Sequence, residues 1–106
     1  MRVGTDIVEI ARIPSDNLAF INGVLSLNER KILSKRIDKA EFIAGRFAAK
    51  EAFLKALGTG LSGTPLNLID VSYREDGSPL LTYKEKQYEV SIAHDGGYAT
   101  SVVIIP

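Results

Sequence analysis

The sequence predicts an α+β domain, in which an antiparallel sheet of three to five strands packs with one long helix and shorter helices. Three observations favour this class. Strand and helix signals are segregated along the chain and do not alternate. Two pairs of strand signals are each separated by a short turn that contains Asp-Gly. The 106 residues, 45% apolar and 25% charged, suffice for a single globular domain over residues 1–106.

The first part of the chain predicts a strand followed by a short helix. Residues 3–10 alternate with a period of two, which places Asp6 on a mostly apolar face. A carboxylate on such a face needs a partner or a metal ion. The short helix is expected over residues 14–21, with its end near Gly23.

Two capping signals predict the next two helices. A serine followed three residues later by a glutamate starts a helix over residues 26–37. Asp38 and Glu41 repeat this spacing and start the longest helix, which extends to about Leu57. Gly58 follows as the residue that ends the helix. A glycine-rich loop then leads to Pro65.

The second half of the chain predicts strands in hairpins. Leu68–Arg74 pairs with Leu80–Lys84 across Asp76-Gly77, and Tyr88–His94 pairs with Tyr98–Ile105 across Asp95-Gly96-Gly97. The last strand is apolar on both faces, whereas a small antiparallel sheet usually exposes one face to water. We therefore expect this strand to meet either a helix layer or another subunit.

Composition excludes several classes of site. Cysteine is absent and His94 is the only histidine, which excludes disulfides, iron–sulfur clusters and thiolate zinc sites. A metal ion would need oxygen ligands, as Mg²⁺, Mn²⁺ and Ca²⁺ prefer. Thirteen basic and thirteen acidic residues leave no overall field for nucleic acid or membrane. No apolar run approaches the ~20 residues of a membrane span and no signal peptide is recognised, so we expect a cytoplasmic protein.

Charge is nevertheless uneven along the chain. Residues 30–55 contain eight basic and three acidic residues, a local excess of five cations. The stretch is either a solvated helical face or a surface for phosphates or an acidic partner.

The glycine-rich segment matches the residue pattern of a nucleotide-binding motif but lacks its structural context. Residues 58–63 match G-x-G-x-x-G, but a helix precedes them and a strand follows, the reverse of a dinucleotide site. Thr64 stands where a P-loop needs lysine. We exclude both motifs. The glycines either stop the helix and form a turn, or let the backbone approach a ligand closely.

The candidate chemistry lies in two acids and three cations. Asp6 is in the first strand, and Glu51 is in the long helix with Arg46, Lys50 and Lys55 nearby in sequence. Taken alone, Glu51 and Lys55 have the spacing of a helical ion pair. Taken together, two acids beside three cations suit a metal-bound pyrophosphate, because Mg²⁺ takes one or two carboxylates and fills its other positions with water and phosphate.

These residues carry a family resemblance. Residues 3–10 (Val-Gly-Thr-Asp-Ile-Val-Glu-Ile), followed by Arg12-Ile13, resemble the first signature of the holo-acyl-carrier-protein synthases, the small bacterial 4′-phosphopantetheinyl transferases. Residues 46–60 (Arg-Phe-Ala-Ala-Lys-Glu-Ala-Phe-Leu-Lys-Ala-Leu-Gly-Thr-Gly) resemble the second almost throughout. Residues 91–94 (Ser-Ile-Ala-His) are similar to the third, with Ala93 where Ser or Thr is usual. The chain is short for the family, which implies trimmed loops.

The resemblance implies an activity, a fold and a set of site residues. The activity is transfer of 4′-phosphopantetheine from coenzyme A to a serine of apo acyl carrier protein, which releases adenosine 3′,5′-bisphosphate and supports fatty acid synthesis. Asp6 and Glu51 would bind Mg²⁺, Glu51 would take the serine proton and Lys55 would stabilise the phosphate. The implied assembly is a homotrimer with active sites between subunits.

The two substrates would be held by two further sets of residues. The residues expected to bind coenzyme A are Arg46, Lys50, Gly58, Thr59, Gly60, Ser91 and His94. The residues expected to bind the acidic carrier protein are Arg12, Arg30, Lys31, Lys35 and Arg36.

Two alternatives belong to other classes of protein. A non-catalytic nucleotide- or RNA-binding module could use the basic stretch, but such modules place cations among the aromatic residues of strands. Here the four tyrosines are on predicted strands and the cations are on helices. A purely structural oligomerisation domain would leave Asp6 on its apolar face unexplained. We expect neither nucleic acid nor membrane as a partner.

Overall fold

A computed structural model describes residues 1–58 and 63–106. The strands are β1 (Arg2–Glu9), β2 (Asp70–Tyr73), β3 (Pro79–Tyr83), β4 (Lys86–Asp95) and β5 (Tyr98–Ile105). The helices are α1 (Leu18–Val24), α2 (Leu27–Leu33) and α3 (Lys39–Leu57). All strands join one antiparallel sheet in the order β1-β5-β4-β3-β2. The α+β prediction is confirmed.

The long helix ends as predicted but does not begin with the predicted cap. Gly58 stops α3 with a left-handed φ of 78°. Asp38 precedes the helix, yet its side chain makes no bond to the first turn. Both of its oxygens instead accept from the Arg36 guanidinium at 2.7 Å. The capping box predicted for Asp38 and Glu41 is therefore wrong, because the two-pronged guanidinium is the stronger partner for the carboxylate.

The first short helix begins later than predicted. Asn17 accepts from the Phe20 amide, so α1 begins at Leu18 and not near Pro14. It ends at Val24, next to Gly23, as predicted.

The capping box at the start of α2 is confirmed, but the helix ends before the predicted limit. Ser26 and Glu29 bond reciprocally, as the sequence predicted. The helix ends at Leu33 and not at Ile37. The Ser34 hydroxyl donates to a carbonyl of its last turn, and a lysine of α3 donates to the Leu33 carbonyl at 3.0 Å.

Both predicted hairpins are confirmed, and two further strand pairings complete the sheet. β2 starts later than predicted, since Leu66–Leu68 form a turn of 3-10 helix before it. β3 and β4 pair across Lys84-Glu85, where both residues have positive φ, 50° and 66°. β1 pairs with β5, at opposite ends of the chain.

The helix α3 lies on one face of the sheet and touches β1 through the main chain. A Cβ atom built on Gly4 would lie 1.9 Å from the Ala52 carbonyl oxygen, so only glycine allows this approach. Further along α3, Phe53 packs edge to face against Tyr83. The main core between helix and sheet consists of Ala49, Ala52, Phe53, Leu54, Ile69, Val71, Leu81, Val90 and Val103.

The opposite face of the sheet is exposed and apolar. Val3 and Ile7 of β1, and Val102 and Ile104 of β5, point away from α3, with Ile7 63% exposed. The helix layer thus covers one of the two apolar faces of β5, and nothing in the described part of the chain covers the other. Among residues 1–58 and 63–106, no helix has both the length and the hydropathy that a membrane span requires.

Candidate active site

A cleft of about 500 Å³ opens between β1, α1 and α3. Asp6 and Glu51 line it, together with a rim residue, Arg12. Its apolar wall is formed by Phe20 and Phe47, whose ring centres lie 6.2 Å apart. A polar centre inside an apolar wall is the usual form of a small-molecule site.

The structure brings Asp6 and Glu51 into this cleft from distant parts of the chain. Asp6 lies two residues after Gly4, on the same face of β1, where the strand meets the backbone of α3. Burial raises the pKa of Glu51, and the negative charge of Asp6 raises it further, whereas Lys55 opposes both effects. The carboxylate of Asp6 is therefore close enough to act on the ionisation of Glu51.

Lys55 is bonded to the first strand. Its Nζ donates to Oδ1 of Asp6 at 3.1 Å and to the Thr5 carbonyl at 3.0 Å. The helical ion pair that the sequence allowed between Glu51 and Lys55 is thus replaced by a pair between helix and strand. This places one cation directly beside the two carboxylates.

The donor set fits a hydrated magnesium ion. Within the described ranges, 1–58 and 63–106, no group of three or more His, Asp and Glu side chains could enclose a metal ion. Mg²⁺ does not need such a cage, since it keeps water and substrate phosphate on most positions and takes one or two carboxylates. Asp6 and Glu51, facing an open cleft, have the chemistry for that role.

A second cavity of about 170 Å³ surrounds Arg46. Arg46 is only 5% exposed, and its Nε and Nη2 have no hydrogen-bond partner in the described structure. The guanidinium lies 4.2 Å from the ring centre of Phe42 and 5.0 Å from that of Tyr73. Buried donors without acceptors are costly, so this cavity is suited to an anion that would supply the acceptors.

His94 and Arg36 line the same cavity. A Cβ atom on Gly45 would lie 3.1 Å from Nε2 of His94, so the glycine lets β4 approach α3 closely. Arg46 and His94 were predicted as binding residues because they lie in the family motifs. Sequence reasoning missed Tyr73, because nothing in its surroundings distinguishes it from the other strand tyrosines.

Lys50 is not available to a ligand. It is completely buried, and its ammonium donates to Glu29, to the Val24 carbonyl and to the Leu66 carbonyl. All three N–H groups are thus used within the protein. The sequence expectation that Lys50 holds a coenzyme A phosphate does not fit this environment, and we leave it out of the binding set.

The other predicted binding residues fall in different places. Gly58 ends α3 beside the Arg2 guanidinium, since a Cβ there would lie 2.5 Å from Nη2 of Arg2. Ser91 is exposed on the sheet face opposite α3. Thr59 and Gly60 lie outside the described residues.

The predicted carrier-binding cations do not form one cluster. Arg12 is exposed at the rim of the cleft, 3.6 Å from Glu9. Arg30 is bonded to Asn22 and to the Ser26 carbonyl, and Lys31 and Lys35 are exposed. Arg36 lies in the Arg46 cavity, away from the others, because Asp38 and the Phe42 ring hold it there.

Comparisons with known proteins agree along nearly the whole chain. The sequence model of the 4′-phosphopantetheinyl transferase superfamily matches residues 2–103. A holo-[acyl-carrier-protein] synthase of Staphylococcus saprophyticus is 40% identical over 97% of this chain and 95% of its own length. One from Bacillus thuringiensis is 39% identical, over 97% and 92%.

Solved structures of similar proteins have the same fold. The Bacillus anthracis holo-(acyl-carrier-protein) synthase in complex with CoA (3′,5′-ADP) has a TM-score of 0.86 at 35% identity, covering 96% of this chain and 92% of that one. The Helicobacter pylori holo-[acyl-carrier-protein] synthase in complex with coenzyme A has a TM-score of 0.85 at 34% identity, covering 98% and 99%.

Proposed function

This chain belongs to the 4′-phosphopantetheinyl transferase superfamily, and we propose that it acts as a holo-[acyl-carrier-protein] synthase. The reaction moves 4′-phosphopantetheine from coenzyme A to a serine hydroxyl of apo acyl carrier protein. Its product supports fatty acid and lipid synthesis. The observation that carries the proposal is the convergence of Asp6 and Glu51 in one cleft, with Lys55 bonded to Asp6, in a chain that matches the family from residue 2 to residue 103.

Asp6 and Glu51 are the residues that would hold Mg²⁺, each through a carboxylate oxygen. When bound, the ion neutralises charge on the pyrophosphate of coenzyme A and orients it. Lys55 lies beside Asp6 and has a side chain that is 56% exposed, so its ammonium can reach a phosphate oxygen in the cleft. It would stabilise the negative charge that grows on the leaving phosphate.

Glu51 is the candidate proton acceptor. The serine oxygen forms a bond to the phosphorus that carries pantetheine, while the bond from that phosphorus to the bridging oxygen breaks. The bond electrons leave with adenosine 3′,5′-bisphosphate, and the serine proton passes to Glu51 directly or through a water molecule.

The nucleotide phosphate that is not part of the pyrophosphate is assigned to the Arg46 cavity. Arg46 offers two unbonded donors there, and His94 and Arg36 can add two more groups. Gly58, Thr59, Gly60 and Ser91 remain proposed contacts of the rest of coenzyme A. In this assignment Arg36 contacts coenzyme A and not the carrier protein.

The separation of the two cavities supports an active site shared between subunits. Arg46 and Glu51 are five residues apart on α3, which turns their side chains about 140° from each other around the helix axis. One coenzyme A would then lie against the cleft of one protomer and the Arg46 cavity of its neighbour. A homotrimer built on the exposed apolar sheet face would provide such a junction. We place this assembly in the cytoplasm.

The carrier protein is assigned to the rim of the cleft. Arg12 lies at that rim, and the other cations proposed to meet the carrier are Arg30 and Lys31 in α2 and Lys35 just after it. Contacts between exposed charges are screened by salt, so the KM for the carrier should rise with ionic strength.

The deciding experiment measures the mass of the carrier protein. Apo carrier, coenzyme A and Mg²⁺ are incubated with the protein, and the carrier should gain the mass of one phosphopantetheine group. The gain should disappear with EDTA and with Asp6→Asn. An unchanged mass with a cognate carrier, verified as a substrate of another transferase, would overturn the proposal.

A further inference from the structure

A buried ion pair joins the helices to one another. Lys50 and Glu29 are both 0% exposed, and Nζ of Lys50 donates to Oε1 of Glu29 at 2.6 Å. The other hydrogens of the ammonium go to main-chain oxygens, that of Val24 at 2.6 Å and that of Leu66 at 3.1 Å. The ammonium therefore binds α2, the end of α1 and the segment before β2 at once.

The Glu29 carboxylate is bound as fully as the ammonium. Its Oε1 also accepts from the Ser26 amide at 2.8 Å, and its Oε2 accepts from the Val71 amide at 2.6 Å. Since β2 is an edge strand, the N–H of Val71 points away from the sheet and has no strand to pair with. The Glu29 carboxylate accepts its hydrogen bond instead. The pair thus fixes the position of α2 against the sheet as well as against α3.

A buried ion pair of this kind is better explained by positioning than by stability. Apolar side chains of similar volume often stabilise a core as well as a buried pair does. What apolar side chains cannot do is hold particular carbonyl and amide groups at fixed points. Here the pair holds two carbonyls through Lys50 and two amides through Glu29.

The helix α1 depends strongly on this ammonium. It has seven residues and no charged side chain, and only Ile21 and Val24 are buried. Helices of this length are not stable on their own. The carbonyls of its last turn are held by Lys50, at Val24, and by the Asn67 side chain, at Asn22. A cation at this end also complements the helix dipole.

The same helix forms a wall of the active-site cleft. Phe20, in α1, packs against Phe47 of α3, and both rings line the cleft that contains Asp6 and Glu51. A displacement of α1 would move Phe20 relative to the carboxylates, whereas α3 and β1 are joined directly through the main chain at Gly4.

We infer that Lys50 is a positioning residue for the transfer reaction. Its buried ammonium fixes the last turn of α1, and thereby the Phe20 wall of the cleft at whose rim the carrier protein is proposed to bind. The identity of that substrate rests on the proposed function; the placement of α1 by Lys50 does not. Lys50 touches no reacting atom, so its removal should affect binding of the carrier more than the chemical step.

The test compares two variants with a matched control. Lys50→Met removes the ammonium but leaves the Glu29 charge buried, so a second variant, Glu29→Gln with Lys50→Met, removes both charges and guards against failure to fold. Lys86→Met makes the same substitution at an exposed lysine of β4. Hydrogen exchange of the backbone amides is measured for each protein, together with kcat and the KM for each substrate.

The inference predicts a localised effect. Amides of α1 should exchange roughly tenfold faster or more, while amides in the middle of α3 change less than about twofold. The KM for the carrier should rise about fivefold or more, with kcat within about threefold of wild type. Lys86→Met should match wild type in every measurement.

Other results would overturn the inference or separate it from the proposed function. Unchanged exchange in α1 of a folded variant would refute it, and so would faster exchange spread evenly over α3 and the sheet. A fall in kcat with an unchanged carrier KM would assign Lys50 to chemistry instead. If the wild-type protein transfers no phosphopantetheine, the proposed function fails. Hydrogen exchange of the α1 amides still decides whether Lys50 positions α1.

Discussion

Lys55 of α3 and Asp6 of β1 form an ion pair with 3.1 Å between Nζ and Oδ1, and Asp6 lines the same cleft as Glu51. The Thr5 carbonyl holds the ammonium in the same place. A lysine and a metal ion would therefore compete for the same carboxylate oxygen. The role of Asp6 as a metal ligand can therefore be tested by measuring metal affinity, with no need to measure turnover.

Lys55→Met should bind a divalent cation more tightly than wild type in the absence of coenzyme A. Removing a positive charge beside two carboxylates strengthens their attraction for a dication, by about twofold to tenfold at a half-exposed site. Electron paramagnetic resonance of free Mn²⁺ measures the affinity, with Lys86→Met as control. The same variant should transfer phosphopantetheine more slowly. Weaker Mn²⁺ binding by Lys55→Met would contradict the shared site.

Asp6→Asn and Glu51→Gln should each lower turnover about 100-fold or more while leaving the fold intact. Both substitutions keep the size of the side chain and remove its charge, so circular dichroism should not change. Turnover is measured at saturating Mg²⁺. A near-wild-type rate for either variant would remove that residue from the proposed metal site.

Arg46→Met should raise the KM for coenzyme A about tenfold with little loss of stability. Removing a buried guanidinium ends the cost of two unbonded donors, about 1–3 kcal/mol. It also ends the contacts with Phe42 and Tyr73, about 0.5–2 kcal/mol. These effects offset each other, so the Tm without ligand should move by only a few degrees. A large fall in Tm with an unchanged KM would show that Arg46 is only structural.

Asp38→Asn should lower stability at neutral pH and not in acid. Its bond to Arg36 lowers the pKa of Asp38 from 3.8 to about 2. Between these values the unfolded chain binds more protons than the folded one, so the stabilisation is present above pH 3.8 and is lost as the pH falls towards 2. Thermal melts of both proteins across this range measure the difference. An equal difference in Tm at pH 7 and pH 2 would refute the role of the ion pair.

Gly4→Ala and Gly23→Ala should change stability in opposite directions. A Cβ on Gly4 would collide with the main chain of Ala52, which should cost at least about 3 kcal/mol. Gly23 lies within α1 with nothing within 4 Å of its Cβ position, and alanine there should stabilise by about 0.5–1 kcal/mol. Urea unfolding measures both. If Gly4→Ala were tolerated, β1 could not lie as close to α3 as described.

Local sequence signals predicted much of the fold correctly. The Ser26 capping box, the stop at Gly58 and the two Asp-Gly hairpins depend on residues within a few positions of each other. The convergence of Asp6 with Glu51 was also predicted, but through the family motifs and not through any local rule.

Features set by distant parts of the chain could not be predicted in the same way. Lys50, beside Glu51 in a basic stretch, has the sequence context of an exposed lysine, and its partner Glu29 is 21 residues away. The β3–β4 turn places Lys84 and Glu85 in a conformation typical of glycine and asparagine. The capping signal at Asp38 failed because Arg36 competes for the same carboxylate.

The contact between Gly4 and Ala52 determines which substitutions this site can accept. Because β1 contacts α3 through main-chain atoms, the distance between Asp6 and Glu51 does not depend on the apolar side chains around them. Substitutions among those apolar side chains should therefore leave the spacing of Asp6 and Glu51 unchanged, as long as position 4 remains glycine.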